Sequence, residues 1–217
     1  MRATSRCLAA ALLVLCAACG GEERTTFYAS GQPWAEVQLR DGRAHGRWTT
    51  WYPDGRLKSE EEYREGRLHG PAAAWYEDGQ PKFRGAYRAG RPHGPWERWY
   101  RGGVPLSRGS YVDGARDGAW THWHANGEPY IEGHYAAGLA DGRFAFYYED
   151  GTLQREGKLR GEKRLGRWTT WYANGVKKSE VDYEDGVPRG RGSFWNEDGS
   201  PDAERGGPRR RGSGTRE

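Results

Sequence analysis

Glycine returns at Gly46, Gly70, Gly94, Gly118, Gly142, Gly166 and Gly190, one every 24 residues, with no insertion or deletion between them. The heptapeptide GRWTTWY, found at 46–52 and again at 166–172, is this register seen twice, five steps apart. A fixed period of this size marks an array of small units, none able to bury a core alone. It constrains the fold more than any other feature of the chain.

Counting from each marker glycine, position 5 carries Trp51, Trp75, Trp99, Trp123, Tyr147, Trp171 and Trp195. Position 2 carries Trp48, Ala72, Trp96, Trp120, Phe144, Trp168 and Gly192, and position 9 is glycine from Gly55 to Gly199. At position 17 stand Tyr63, Tyr87, Tyr111, Tyr135, Leu159 and Tyr183. The register extends backwards onto Phe27, Tyr28, Gly31, Glu36, Leu39 and Gly42, giving six full units, a partial one before them and a decaying one after Gly190.

Each unit divides into two short segments bounded by turn chemistry. The first, such as 47–52, is rich in Trp, Thr and Tyr, which suit a pleated surface. After it come PDG, EDG, RGG, ANG, EDG, ANG and EDG, and Asp-Gly or Asn-Gly is a strong hairpin signal because both residues tolerate positive φ. The second segment, such as 57–63, ends at another glycine turn. With 34 glycines at fixed offsets a helix is excluded, since each would cost about 1 kcal/mol in a helix interior. The expected fold is all-β: an elongated single-layer antiparallel meander of 24-residue β-hairpins, advancing about 10 Å per unit. Aliphatic residues are too few for a compact core, so aromatic ladders along the sheet must supply the cohesion.

The two ends read differently. Residues 1–18 resemble a secretion leader, with Arg2 and Arg6, an apolar run over 8–16 and then small residues. The run is far short of the roughly 20 apolar residues a membrane-spanning helix needs. The stretch LCAAC at 15–19 resembles a bacterial lipobox, which implies lipidation of Cys19 and a short linker over 19–26 before the repeats at 27–199. It departs from that pattern by carrying Cys16 where an aliphatic residue is usual. Once the leader is gone, Cys19 is the one cysteine of the three that remains, so no internal disulfide is expected. Residues 200–217, rich in Gly and Arg, have nothing apolar to bury and read as a disordered tail.

Charge says little about partners. Without Arg2 and Arg6 the chain has 32 basic against 30 acidic residues, and most of that small excess sits in the tail. The repeats are neutral, and no nucleic-acid partner is expected.

The unit G-x-W-x-x-W-Y-x-x-G-x(4)-E-x-x-Y-x-x-G-x-x-x-G resembles the MORN repeat in its bacterial variant form, over roughly 22–204. Bacterial proteins of this type are often grouped as YwqK-like antitoxin components, and others carry lipid-kinase names. Leader, repeats and tail take up the 217 residues and no G-x(4)-G-K-[ST] loop occurs, so neither a kinase domain nor a cofactor is expected.

Candidate site residues follow from the register. Trp51, Trp75, Trp99, Trp123 and Trp171, with Tyr63, Tyr87, Tyr111, Tyr135 and Tyr183, form the candidate binding surface, since exposed aromatics mark interaction sites. Position 14 reads Glu36, Glu60, Arg84, Arg108, Glu132, Glu156, Glu180 and Glu204, a polar ladder that a partner could read. His45, His69 and His93 stand at equivalent turns, where later units have Asp117, Asp141, Leu165 and Arg189, a drift that suits solvated turns. His122, His124, Glu132 and His134 are a weak candidate metal set, placed on paired strands of one unit and repeated in none; the expectation is no metal.

The leading expectation is a non-enzymatic scaffold, held in the bacterial cell envelope by a lipid on Cys19, that binds a protein partner through its sheet. The alternatives are a module binding an anionic lipid head group or a glycan, and a YwqK-like antitoxin or immunity component.

Overall fold

The computed structural model describes residues 11–16, as backbone, and 21–205; residues 1–10, residues 17–20 with Cys19, and residues 206–217 lie outside the described residues. The described residues are all strand, turn and bend, without helix. They fall into two compact units, which divide after Ala115.

The first unit holds β1 (Ala11–Cys16), β2 (Gly21–Phe27), β3 (Pro33–Arg40), β4 (Arg43–Trp51), β5 (Leu57–Arg64), β6 (Arg67–Trp75), β7 (Pro81–Arg88), β8 (Arg91–Pro92), β9 (Gly94–Trp99) and β10 (Pro105–Val112). Consecutive strands pair antiparallel, except that β8 and β9 both lie against β7. The second unit holds β11 (Ala115–Trp123), β12 (Pro129–Ala136), β13 (Leu139–Tyr147), β14 (Leu153–Arg160), β15 (Lys163–Trp171), β16 (Lys177–Glu184) and β17 (Val187–Phe194). It is an uninterrupted meander. The hairpin β2–β3 keeps the pairing and the bulge of the later units, so the repeat that looks partial in sequence is a full one in structure.

Two kinds of turn alternate, and they are not distributed as the sequence suggests. The two-residue turn with positive φ at both positions sits at positions 19 and 20, in pairs such as Asp41–Gly42 (φ 50° and 71°) and Asp113–Gly114 (50° and 91°). Those values suit the right-handed twist of the flanking strands. At PDG and its equivalents the loop is wider, and there the position 9 glycine, Gly55 for example at φ 84°, takes the positive φ, joined in RGG by Gly102 at 89°. Tyr52 N donates to Arg56 O and Gly55 N to Tyr52 O, while Asp54 Oδ1 accepts from Arg56 N. A bulge follows on the returning strand, where the register between Thr50 and Trp51 skips one partner residue.

That bulge and the strand alternation decide the two faces. Trp48 lies opposite Glu61 and Gly46 opposite Tyr63, so positions 2, 15 and 17 share one face. Thr49 lies opposite Glu60 and Trp51 opposite Leu57, so positions 3, 5, 11 and 14 share the other. The core belongs to the first face: Trp96, Trp120, Phe144 and Trp168 are only 2–3% exposed.

The expected tail boundary shifts. Residues 200–205 fold back, with Pro201 bridging Trp195 and Asp202 N donating to Phe194 O.

Candidate functional site

The central row of the aromatic face is packed by its own side chains. In the first unit Trp96 stacks on Phe83 at 5.5 Å and takes Tyr87 and Tyr111 edge-on at 5.3 and 5.7 Å. In the second, Phe144 meets Tyr135 edge-on at 5.4 Å, and Phe146 stands between Phe144 and Trp168 at 6.4 Å from each. Arginines cover this row: Arg116 lies 4.8 Å over Trp120, and Arg164 lies 4.8 Å over Trp168 and 5.2 Å over Tyr183. Such cation–π contacts let a one-layer sheet bury indoles without a second layer.

Position 15 makes this packing possible. Phe144 lies between Gly133 and Gly157, and a Cβ on Gly133 would stand 2.1 Å from the Phe144 ring. A Cβ on Gly157 would stand 2.3 Å from Trp168, and one on Gly85 2.0 Å from Trp96. The rings therefore rest on bare backbone of the preceding strand. Where position 15 is Glu61 or Val181, position 2 gives way: Glu61 faces Ala72, and a Cβ on Gly192 would meet Val181 at 2.8 Å, whereas Val37 still faces Trp48. The loss of an aromatic at Gly192, which in sequence looks like decay, is the reverse arrangement of the same contact.

Glu61 marks the one break in the row within the first unit. Its carboxylate accepts from the Tyr63 hydroxyl at 3.1 Å, and burial, then the charge of Glu61, pushes the Tyr63 phenol up to about 12.

The candidate surface residues separate onto the two faces. Tyr63, Tyr87, Tyr111, Tyr135 and Tyr183 belong to the aromatic face, half-buried as part of its packing. Trp51, Trp75, Trp99, Trp123 and Trp171 belong to the opposite, polar face, half-buried beside the position 14 ladder. Arg84 lies over the Trp99 ring at 5.9 Å and Lys177 over Trp195 at 5.5 Å. The Tyr147 hydroxyl donates to Glu132 at 2.8 Å, and with burial this bond pushes Tyr147 up to about 12. Glu97 pairs with Arg108 at 2.7 Å, Glu180 with Lys177 at 2.7 Å, and Glu156 with Arg143. A hydrogen bond to Glu23, reinforced by burial, raises the Glu36 carboxyl. The polar face thus sets half-exposed indoles beside charged and hydrogen-bonding groups, at intervals of about 10 Å from one repeat to the next.

The four candidate metal ligands are not brought together. His122 faces Ile131 and stacks 5.9 Å from Trp120 on the aromatic face, while Glu132 and His134 lie on the polar face opposite Thr121 and Ala119. His124 is at the turn and holds Tyr147 O through Nε2 at 3.2 Å. Among the described residues no three His, Cys, Asp or Glu side chains converge on a common point. His45 and His69 lie inside β4 and β6 rather than at the turns expected, and His93 lies between β8 and β9; the Nδ1 of His69 and of His93 each accepts from a backbone N–H of the next turn, at 3.5 and 3.4 Å.

Position 6 carries a function that the sequence reading missed. Tyr28, Tyr52, Tyr76, Tyr148 and Tyr172 each donate their hydroxyl to the carbonyl 23 residues later, at 2.8–3.0 Å, and His124 occupies the same place. The recurring W-Y pair, at 51–52, 75–76, 99–100 and 171–172, was the available signal.

A family model for the MORN repeat variant matches residues 44–65, 92–113, 116–137, 140–160 and 164–185, together half of the chain. The segment passed over between the first two matches, 66–91, holds Ala72, at the broken point of the aromatic row. No curated protein matches the chain.

Proposed function

The chain belongs to the MORN repeat variant family, whose repeats are generally protein- and lipid-interaction modules, and from that premise we propose a non-catalytic scaffold that binds a protein partner through its polar face. The division of labour between the faces carries this reading. One face spends its aromatics on internal packing, down to 2–3% exposure, and the other keeps its indoles half-exposed beside charges. Indoles next to paired charges are the composition of an interaction hot spot. Lipidation of Cys19 would hold this surface at the envelope membrane, which accords with the leader-like sequence ahead of it.

The test is crosslinking in the native cell with wild type, Cys19→Ala and a Trp51→Ala/Trp75→Ala double variant, alongside intact mass of the membrane-extracted protein. An acylated mass, and one crosslinked protein lost in the double variant, is the expected result. Crosslinks that survive the double variant, or recovery of no specific protein, refute the polar-face reading. An unacylated, freely released chain refutes the anchor.

A further inference from the structure

We propose that a cavity in the first unit binds the C-terminal residue of a peptide, taking its apolar side chain inside and its carboxylate between Lys82 and Arg98. The inference rests on the reading that the partner is a protein, and adds one contact outside the polar face, where Phe83 and Arg98 pair across β7 and β9 on the aromatic side.

The cavity, of about 320 Å³, is lined by Tyr76, Lys82, Phe83, Arg98, Trp99 and Leu106. Three of these residues stand at positions that vary from repeat to repeat. Position 13 is Phe83 where others have Ser59, Ser107, Ile131, Arg155 and Ser179; position 4 is Arg98 where others have Thr50, Ala74, His122, Phe146 and Thr170. Position 12 is Leu106 where others have Lys58, Lys82, Tyr130, Gln154 and Lys178. In this combination Phe83 and Leu106 bring apolar walls to one place, with Lys82 and Arg98 beside them. The cavity walls are fixed. Phe83 is stacked on Trp96 with the ring planes 5° apart, and the Tyr76 hydroxyl is bonded to Trp99 O at 2.9 Å.

Charge selects the occupant. Lys82 Nζ stands 5.8 Å from the Tyr76 ring centroid, and Arg98 is exposed. Neither makes an ion pair among the described residues, and no carboxylate lines the cavity. Two uncompensated cations beside an apolar hollow call for an anion attached to an apolar group, and a guanidinium holds a carboxylate in paired hydrogen bonds. The volume lies at the lower end of small-ligand pockets, roughly 300–1,000 Å³, and suits one large side chain with its carboxylate. A two-chain lipid is too large. An internal Asp or Glu brings the charge but leaves the hollow unfilled, whereas a C-terminal residue carries side chain and carboxylate on one carbon.

The test is an NMR titration of the purified chain with N-acetyl-phenylalanine and with its C-terminal amide. The acid is expected to shift the resonances of Tyr76, Lys82, Phe83 and Arg98 with a dissociation constant of about millimolar order, the affinity usual for a ligand this small. The amide should bind about tenfold more weakly, because it loses the charge-assisted bonds. Arg98→Gln and Lys82→Gln should each narrow that difference, and Leu106→Trp should abolish binding of both. Equal binding of acid and amide overturns the proposal, as does binding of neither. Binding to phosphatidic acid vesicles that is lost in Arg98→Gln, with no response to the acid, also overturns it and gives the cations to a membrane surface. The probe tests this cavity alone: its failure leaves the scaffold reading standing, and loss of the cellular crosslink with the probe still bound would do the reverse.

Discussion

Replacing Gly133 by alanine puts a methyl group into the ring of Phe144. The new Cβ would stand 2.1 Å from Cε1, 2.3 Å from Cδ1 and 2.6 Å from Cζ, all well inside contact distance. Phe144 has little room to withdraw, being 3% exposed and held by Tyr135 edge-on and by Phe146. Overpacking of this kind costs about 1–3 kcal/mol. Alanine in ordinary strand geometry returns about 0.4–1 kcal/mol by restricting the unfolded chain. The net expectation is a loss of about 1–2 kcal/mol, read as a lower midpoint in equilibrium urea unfolding followed by tryptophan fluorescence. Phe144→Ala alone should cost about 3–5 kcal/mol through the lost ring and the space it leaves. In the double variant the clash has gone, so Gly133→Ala should add nothing to Phe144→Ala, giving a coupling of at least about 1 kcal/mol. The chain already contains this combination, with a side chain at Glu61 and a small residue at Ala72. Costs that add within about 0.5 kcal/mol would show that glycine and ring do not touch, and would refute the account of position 15.

Tyr148→Phe removes the hydroxyl bonded to Trp171 O and should cost about 1 kcal/mol in the same assay, with faster amide exchange at the end of β15. His124→Tyr restores the repeat's own residue at that place and should raise stability; no gain would mean that the 3.2 Å imidazole contact already serves as well. Folding holds the Tyr63 phenol protonated up to about 12, so its contribution is whole below pH 10 and is lost as the pH rises from about 10 to 12. Tyr63→Phe should flatten that alkaline limb of the stability curve, and an unchanged limb would count against the burial of the phenol. The raised Glu36 carboxyl has the same sign at acid pH: its contribution is present below the ordinary carboxylate range and disappears as the pH rises through its folded value. Glu36→Gln should therefore be more stable than wild type at pH 7, measured by thermal unfolding.

The 24-residue register was fully legible, because glycines with positive φ, such as Gly55, Gly79 and Gly127, have to recur wherever the loop recurs. Which face holds the core was not. Positions 2 and 5 are both tryptophan-rich and an odd number of residues apart, so a single strand shows aromatics on both sides, and pattern alone cannot rank them. The deciding residues were the mid-strand glycines Gly85, Gly109, Gly133 and Gly157, themselves 24 apart. A glycine inside a strand signals close approach of something bulky, and these sit opposite position 2. The weak histidine and glutamate candidate comes apart for a related reason. Nearness in sequence brought His122 and Glu132 onto paired strands, but the two belong to opposite sides of the sheet.

The hydrogen bond from each position 6 tyrosine to the carbonyl 23 residues ahead runs in one direction only. Tyr28 and Tyr52 reach forward, and so do Tyr148 and Tyr172, whereas Asn196 turns its amide back on Ser200. Each such repeat therefore brings its own fastener to the next, and the final one is an end stop. Gene duplication could lengthen a chain built this way by copying a 24-residue block between two tyrosine-bearing repeats, with both junctions fastened at once. A block added after Asn196 would arrive without that tether.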